Sequence, residues 1–482
     1  MVQHMENQSF TRTTPIYRSD GVNESERYLT KLSDHSFLPL WSYPSLTRDQ
    51  GRKNKRGDGK ELCDLLVVFG NDVIIFQDKE CAFGNSGDLQ FDWGRWYRAA
   101  IQEGAKQIWG AERWIKESPA LIFLDRLCTQ PFPFDFPDPS VARYHRIIVA
   151  HGASERCKQE LGGSGSLRIQ ATGADRGELP FTTGQVNSCK GFVHILDDIA
   201  LNLVLQTLDT IGDLVKYLFK KEAFVTSGQF YSAEGEEELL ATYLTTADAD
   251  QQHSFMFPKG SGPVKIGRGG WEAFSKHLFR LQQLEENKIS YFWDEMIKSA
   301  IMSNLSLGAM PRPDFIGGLE VEAKFLATEN RTSRRGLSEL FLGVINTVSE
   351  SPVVLVTTSP QQAEVCYILV GLPDCGDCST EDFEIARRML LRCYCVVSKL
   401  KFPKATHMIG IATELECILR SNYETTYHFC YYDATTFSDK DKAEALKTQK
   451  RLNLFRNAPI SEYHIHEYPV MNGLLPIPPI GN

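Results

Sequence analysis

Two apolar runs, Leu62 to Phe69 and Val73 to Phe76, flank Gly70-Asn71 within the segment Lys60 to Lys79. Such a step between runs of strand length signals a tight antiparallel hairpin, and the first part of the chain is organised around it. Asp64 sits near the start of the first run, while Gln77 and Lys79 lie two apart at the end of the second. Strand side chains alternate, so Gln77 and Lys79 share a face, and pairing across the turn brings that face alongside Asp64. An acid, an amide oxygen and an ammonium at one end of a short sheet can hold a divalent metal beside a phosphate. The same residues also fit the solvated strand ends of a buried hairpin.

A chain of 482 residues exceeds what one hydrophobic core usually organises, so two domains are expected. With 42% hydrophobic and 23% charged residues, both read as globular. No apolar run approaches the roughly 18 residues that span a bilayer, and the opening MVQHMENQSF lacks the basic flank and apolar centre of a secretion signal. A cytoplasmic protein without membrane association is therefore expected. The 12 cysteines lack the spacing of a disulfide framework, which in a reducing compartment implies mostly buried thiols. A net charge of -9 argues against a surface coated for nonspecific polyanion binding but leaves room for a local basic patch.

Along the chain, Asn23-Glu24-Ser25-Glu26 before Tyr28, Leu29 and Leu32 predicts an amphipathic helix, with an Asn cap and Glu26 in the capping-box place. Phe37 to Tyr43 predicts a short extended segment. The basic loop that follows runs directly into the hairpin, so Arg52, Lys53, Lys55, Arg56 and Lys60 are candidate nucleic-acid-binding residues, with a solvated loop or a nuclear signal as lookalikes. Trp93, Tyr97, Ala100, Ile108, Ala111 and Ile115 fall at helical spacing and predict one long helix. Strands are predicted at Ala120 to Leu124 and Arg146 to Ala150, then a helix from Leu196 to Leu218 that closes a first domain, 1–225, near Lys221. The second domain, 226–482, combines a helix carrying Trp271, Phe274, Leu278, Leu281 and Leu284 with another from Tyr291 to Leu305. Strands at Val353 to Thr357, Val365 to Val370, Met408 to Ala412 and Tyr427 to Tyr432, and a helix near Asp382 to Lys399, make it α/β as well.

Asp64, a gap of twelve residues, and then Gln77-Asp78-Lys79 resembles the PD-(D/E)xK nuclease superfamily, particularly its Mrr-like and nuclease-related-domain branches, where Gln can replace the second acid. The resemblance covers roughly the first quarter to two fifths of the chain. It implies a restriction-endonuclease-like αββαβ core and a metal-dependent nuclease using Mg2+ or Mn2+ on nucleic acid, DNA before RNA. It further implies that Asp64, Gln77 and Glu26, or else Glu24, hold the metal. Lys79 would orient or activate water, and Gln107 or Gln102 on the following helix would aim at the site. A neutral amide at Gln77 holds a hard cation less tightly than a carboxylate, which favours one metal over two. It also keeps open a degenerate nuclease fold that binds or senses nucleic acid without cutting it. Glu61 could compensate, but three residues from Asp64 on a regular strand it faces the other side unless a bulge intervenes. For the second domain, a regulatory, sensing or homo-oligomerising role, as in bacterial restriction or phage-defence nucleases, is analogy.

Three other patterns compete. Pro313-Asp314 followed by Glu322-Ala323-Lys324 spells the motif again, with too few residues between for two strands and a turn. Cys375 and Cys378 with Cys393 and Cys395 suggest zinc, but the second pair falls in a helical pattern where residues two apart diverge. Arg331, Arg334 and Arg335 form a cluster able to grip a phosphate, or a solvated helix start. No GxxxxGK[ST] loop and no strand-borne Gly-x-Ser-x-Gly elbow supports a nucleotide or serine hydrolase.

Overall fold

The predicted hairpin lies at the middle of a six-stranded mixed sheet in the computed structural model. The structure describes residues 24–37, 41–51, 59–172, 177–249, 252–258, 260, 262–306, 313–373, 380–415, 427–455 and 465–468. They divide into two units. The first contains the described residues up to Lys288 together with Asn330–Thr332 and 465–468, and the second contains Ile289–Glu329 and the described residues from Ser333 to 455. Both are α/β, as the sequence pattern predicts.

The first unit opens with α1 (Glu24–Phe37), β1 (Ser42–Arg48), β2 (Lys60–Phe69) and β3 (Asp72–Glu80). Pairs from Phe69 with Asp72 to Leu65 with Phe76 close the hairpin, and Gly70 takes the left-handed φ of 60° that the turn requires. Then α2 (Leu89–Tyr97), a π turn (Arg98–Gln102) and α3 (Glu103–Glu117) run on without a break where one helix is predicted. All six stripe residues named above, from Trp93 to Ile115, are buried. The π turn widens one coil of the helix and so re-phases the stripe between Ala100 and Ile108.

After the two-residue β4 (Ile122–Phe123), β5 (Arg143–His151) pairs parallel with β3. Next come α4 (Ser154–Leu161), β6 (Arg168–Gln170), β7 (Thr182–Gly184) and β8 (Val193–Asp197), the last parallel with β5, giving the order β4-β1-β2-β3-β5-β8. The helix predicted over Leu196 to Leu218 is split into α5 (Asp198–Thr207) and α6 (Ile211–Thr226). Each has its own cap, since the Asp197 side chain accepts from the Ile199 and Ala200 amides and Thr210 accepts from that of Asp213.

The expected boundary at 225 is displaced to 288. The reason is β9 (Phe230–Ala233), which pairs with β6, so a cut at 225 would sever a second sheet. That sheet is completed, after α7 (Glu236–Thr245), by β10 (Val264–Ile266). Two short helices, α8 (Gly270–Ser275) and α9 (Leu278–Glu286), stand where one is predicted, and Leu278, Leu281 and Leu284 are exposed.

The second unit comprises α10 (Tyr291–Ser306), α11 (Pro313–Thr328), most of α12 (Arg331–Ile345), β11 (Val353–Thr358), β12 (Val365–Leu372), α13 (Thr380–Lys401), β13 (His407–Glu414), β14 (His428–Asp433) and α14 (Asp439–Leu452). Its sheet runs β11-β12-β13-β14. The parallel pair β12 and β13 is joined through α13, which a parallel connection requires. Residues 365–372 are all buried, as a central strand covered on both faces must be.

Candidate metal centre

Asp64 stands one step past the Leu65–Phe76 pair and therefore opposite Gln77. Strand alternation puts Asp64, Gln77 and Lys79 on one face. The buried Asp64 Oδ2 accepts hydrogen bonds from the Gln77 amide nitrogen and, at 2.5 Å, from the backbone N–H of Asp78. The juxtaposition expected from the hairpin is present.

Glu61 joins it through a bulge. Leu46 of β1 pairs with Cys63 but Thr47 pairs with Glu61, leaving Leu62 as an extra residue in β2. That insertion reverses the alternation and returns Glu61 to the side of Asp64. Glu26, buried in the first turn of α1, supplies the third carboxylate. Ligand oxygens of Glu26, Glu61 and Asp64 lie within 4.8 Å of one another. Ser45 donates to Glu26 Oε2 at 3.3 Å from a backbone with φ 54°. A left-handed non-glycine residue costs on the order of 1–3 kcal/mol, and such conformations cluster at functional sites. Sequence reasoning has no signal for it.

The electrostatics follow from crowding. Burial, then the nearby charges of Glu61 and Glu26, push Asp64 up to about 7 against the opposing Asp78 amide and Lys79. Burial and Glu26 likewise raise Glu61, with Arg126 and Lys79 opposing. Lys79 is half-buried and acts on both acids, and among the described residues it makes no direct ion pair with either. Three converging carboxylates are hard oxygen donors that could hold a metal ion, and their chemistry suits Mg2+, Mn2+ or Ca2+ better than a thiophilic ion.

The remaining candidates fall out differently. Gln77 donates its amide nitrogen to Asp64, and Glu61 joins Glu26 and Asp64 in the carboxylate group. Gln107 is exposed on α3, because the helix turns Gly104, Ala105, Ile108 and Ala111 inward instead. Gln102, ending the π turn, is half-buried. Glu24 is exposed at the first residue of α1, and Asn23 lies outside the described residues. So do Arg52, Lys53, Lys55 and Arg56, whereas Lys60 is exposed at the start of β2.

The competing patterns are structural. Asp314, Glu322 and Lys324 share the single helix α11. Cys393 and Cys395 are free thiols on α13, and Cys375 and Cys378 lie outside the described residues. Arg331 is buried against Asp209 at 2.8 Å and Arg334 against Asp294 at 2.6 Å, so neither is free for a phosphate.

One polar cluster escapes the sequence motifs. At the end of β5, His151 donates through Nε2 to Asp78 at 2.6 Å and through Nδ1 to Asp198, with Ser25 Oγ 3.0 Å from Nε2. Burial works against the charge, but the hydrogen bonds and charges of Asp198 and Asp78 raise its pKa to about 10. A His held cationic cannot serve as a general base for Ser25 at neutral pH. It ties together the ends of α1, β3, β5 and α5, next to the residues that carry Glu26 and Asp64. Its only sequence signal is a His closing a predicted buried strand.

No protein-family model, curated protein or solved structure matches this chain.

Proposed function

We propose that the first unit is a metal-dependent phosphodiesterase acting on nucleic acid, DNA before RNA, of the PD-(D/E)xK kind. The observation that carries this reading is the convergence of Glu26, Glu61 and Asp64 on one face of the hairpin, with Lys79 beside them and in no direct ion pair among the described residues. Holding three acids together, Glu26 and Asp64 buried and Glu61 exposed, is unfavourable unless a cation joins them.

A divalent cation, Mg2+ or Mn2+, supplies Lewis-acid polarisation of a phosphate and acidifies water. Glu26, Glu61 and Asp64 would hold it. The Asp78 amide and the Gln77 side chain orient Asp64, and Ser45 orients Glu26. Lys79 offers the ammonium that offsets charge building on the phosphate oxygens in the transition state and can orient the attacking water. A non-cleaving nucleic-acid binder or sensor is the second reading, favoured by one observation: an amide, turned towards Asp64, stands where a second strand acid would be.

The two are separated by Lys79→Ala and Asp64→Ala in a cleavage assay on DNA and RNA with Mg2+ or Mn2+. Each variant is expected to fold and to lose at least about a hundredfold in rate. Full activity in either folded variant would refute the assignment.

A further inference from the structure

A cavity of about 460 Å3 opens between the chain leaving β3, at Cys81 and Gly84, and the helical segment that carries the π turn. It lies on the face that bears the carboxylates. A Cβ at Gly104 of α3 would sit 3.1 Å from Ile148, and Ile148 is the register partner of Gln77, so α3 covers the same side of the sheet as Gln77, Lys79 and Asp64. Cys81 is two residues, roughly 7 Å of extended chain, beyond Lys79. That is about the spacing of neighbouring phosphates on one strand.

Arg95 and Arg98 are exposed on its wall, three apart and therefore on one side of the helix. Two acids also line the cavity, but each is occupied. Asp92 accepts the Ser86 backbone N–H at 2.8 Å, and Glu103 pairs with Lys106 at 2.6 Å. Arg95 lies over the Phe91 ring, and among the described residues neither guanidinium has a carboxylate partner. The floor is fixed: the Trp96 indole N–H donates at 3.0 Å to the carbonyls of both Cys81 and His151, clamping the end of β3 to the end of β5. The π turn beginning at Arg98 is the kind of helix irregularity found at functional sites.

From two uncompensated guanidiniums on a rigid wall, we infer that this cavity is a phosphate subsite, taking the phosphodiester that flanks the scissile one on the same nucleic-acid strand. Guanidinium forks match phosphate oxygens bidentately, which gives register as well as affinity. The inference rests on the phosphodiesterase reading for the identity of its ligand, while the anion site itself rests on Arg95 and Arg98 alone.

The test is fluorescence anisotropy with a short labelled DNA oligonucleotide over a salt series in Ca2+, alongside calorimetric titration of Mn2+ into the same proteins. Arg95→Gln with Arg98→Gln is expected to weaken oligonucleotide binding at least tenfold and to flatten the log–log salt slope by roughly 0.7 to 0.9 for each phosphate that is no longer neutralised, with Mn2+ affinity unchanged. Arg95→Lys with Arg98→Lys, which keeps the charge, is expected to recover most of the salt slope and less of the affinity. Wild-type affinity and slope in the Gln pair would overturn the subsite. Absence of DNA binding by a wild-type protein that binds Mn2+ would overturn it together with the choice of substrate. Arginine-dependent DNA binding without Mn2+ binding would leave the subsite standing and remove the metal reading alone.

Discussion

Replacing Asp64 by Asn should stabilise the protein in the absence of metal, although it removes a buried residue's charge and a proposed ligand. Asp64 ordinarily titrates at 3.8, and in the folded protein burial and its acidic neighbours raise it to about 7. A raised folded pKa means that the native state holds the proton more tightly than the unfolded chain, so stability is fully present below pH 3.8 and is lost as pH rises through about 7. Each pKa unit corresponds to about 1.4 kcal/mol, so the whole difference is on the order of 4 kcal/mol, of which about 2 falls between pH 5 and 7 and nearer 3 between pH 5 and 8. Asn keeps an oxygen for the Asp78 amide and carries no charge, so it escapes the loss. Thermal or urea unfolding at pH 5 and pH 8 with chelator present should show the variant's advantage growing by about 3 kcal/mol, a rise in Tm of several degrees for a unit of this size. Adding Mn2+ at about a hundred times its Kd should stabilise the wild type by roughly 2.7 kcal/mol and the variant far less, narrowing or reversing the order. A variant less stable than wild type at pH 8 in chelator would refute the reasoning, because Asp64 would then be a structural carboxylate satisfied by the fold.

Gln77→Glu adds a fourth carboxylate beside Asp64 and should tighten Mn2+ binding in calorimetry while lowering metal-free stability; weaker binding in a folded protein would show that position 77 faces away from the ion. Glu61→Gln keeps the bulge and the side chain's size but removes its charge, so Mn2+ affinity should fall at least about tenfold; unchanged affinity in the folded variant would exclude Glu61 as a ligand. His151→Ala leaves Asp78 and Asp198 facing each other and should cost about 3 kcal/mol near neutral pH in urea unfolding, once partial solvent screening is allowed for. Because His151 is raised from 6.5 to about 10, its contribution is full below pH 6.5 and lost as pH rises through about 10, so the gap to wild type should close in alkali. Gly152→Ala forces a Cβ at φ 91° to within 2.3 Å of the Cys81 carbonyl and should destabilise by about 2 kcal/mol or more; a neutral result would contradict the packing of β5 against the chain after β3.

What the sequence makes legible is local. Apolar runs around Gly70-Asn71 dictate the hairpin, and alternation then puts Gln77 and Lys79 beside Asp64 without any knowledge of the rest. Glu26 is legible as a ligand only through the resemblance, since the sequence does not show where the first helix sits relative to that hairpin. Glu61 is legible only as a condition, since a bulge is set by how β1 pairs with β2 and leaves no mark at Leu62. Gln107 is expected only through the resemblance; the predicted stripe is buried on both sides of the π turn, and Gln107 lies on its exposed flank. Arg331 and Arg334 look like a surface patch in sequence because their partners, Asp209 and Asp294, are distant along the chain. The boundary at 225 fails for a similar reason, β9 being recruited by β6 across some sixty residues of chain.

The central claim is tested most directly by incubating the purified chain with single-stranded DNA, duplex DNA and RNA under Mg2+, Mn2+ and chelator, and following strand scission on a denaturing gel. Cleavage of at least one polymer with either cation, abolished by chelator and by Lys79→Ala, is the expected result. Intact polymers throughout, from a protein that binds Mn2+ at wild-type stability, would contradict it and leave the hairpin as a binding site without chemistry.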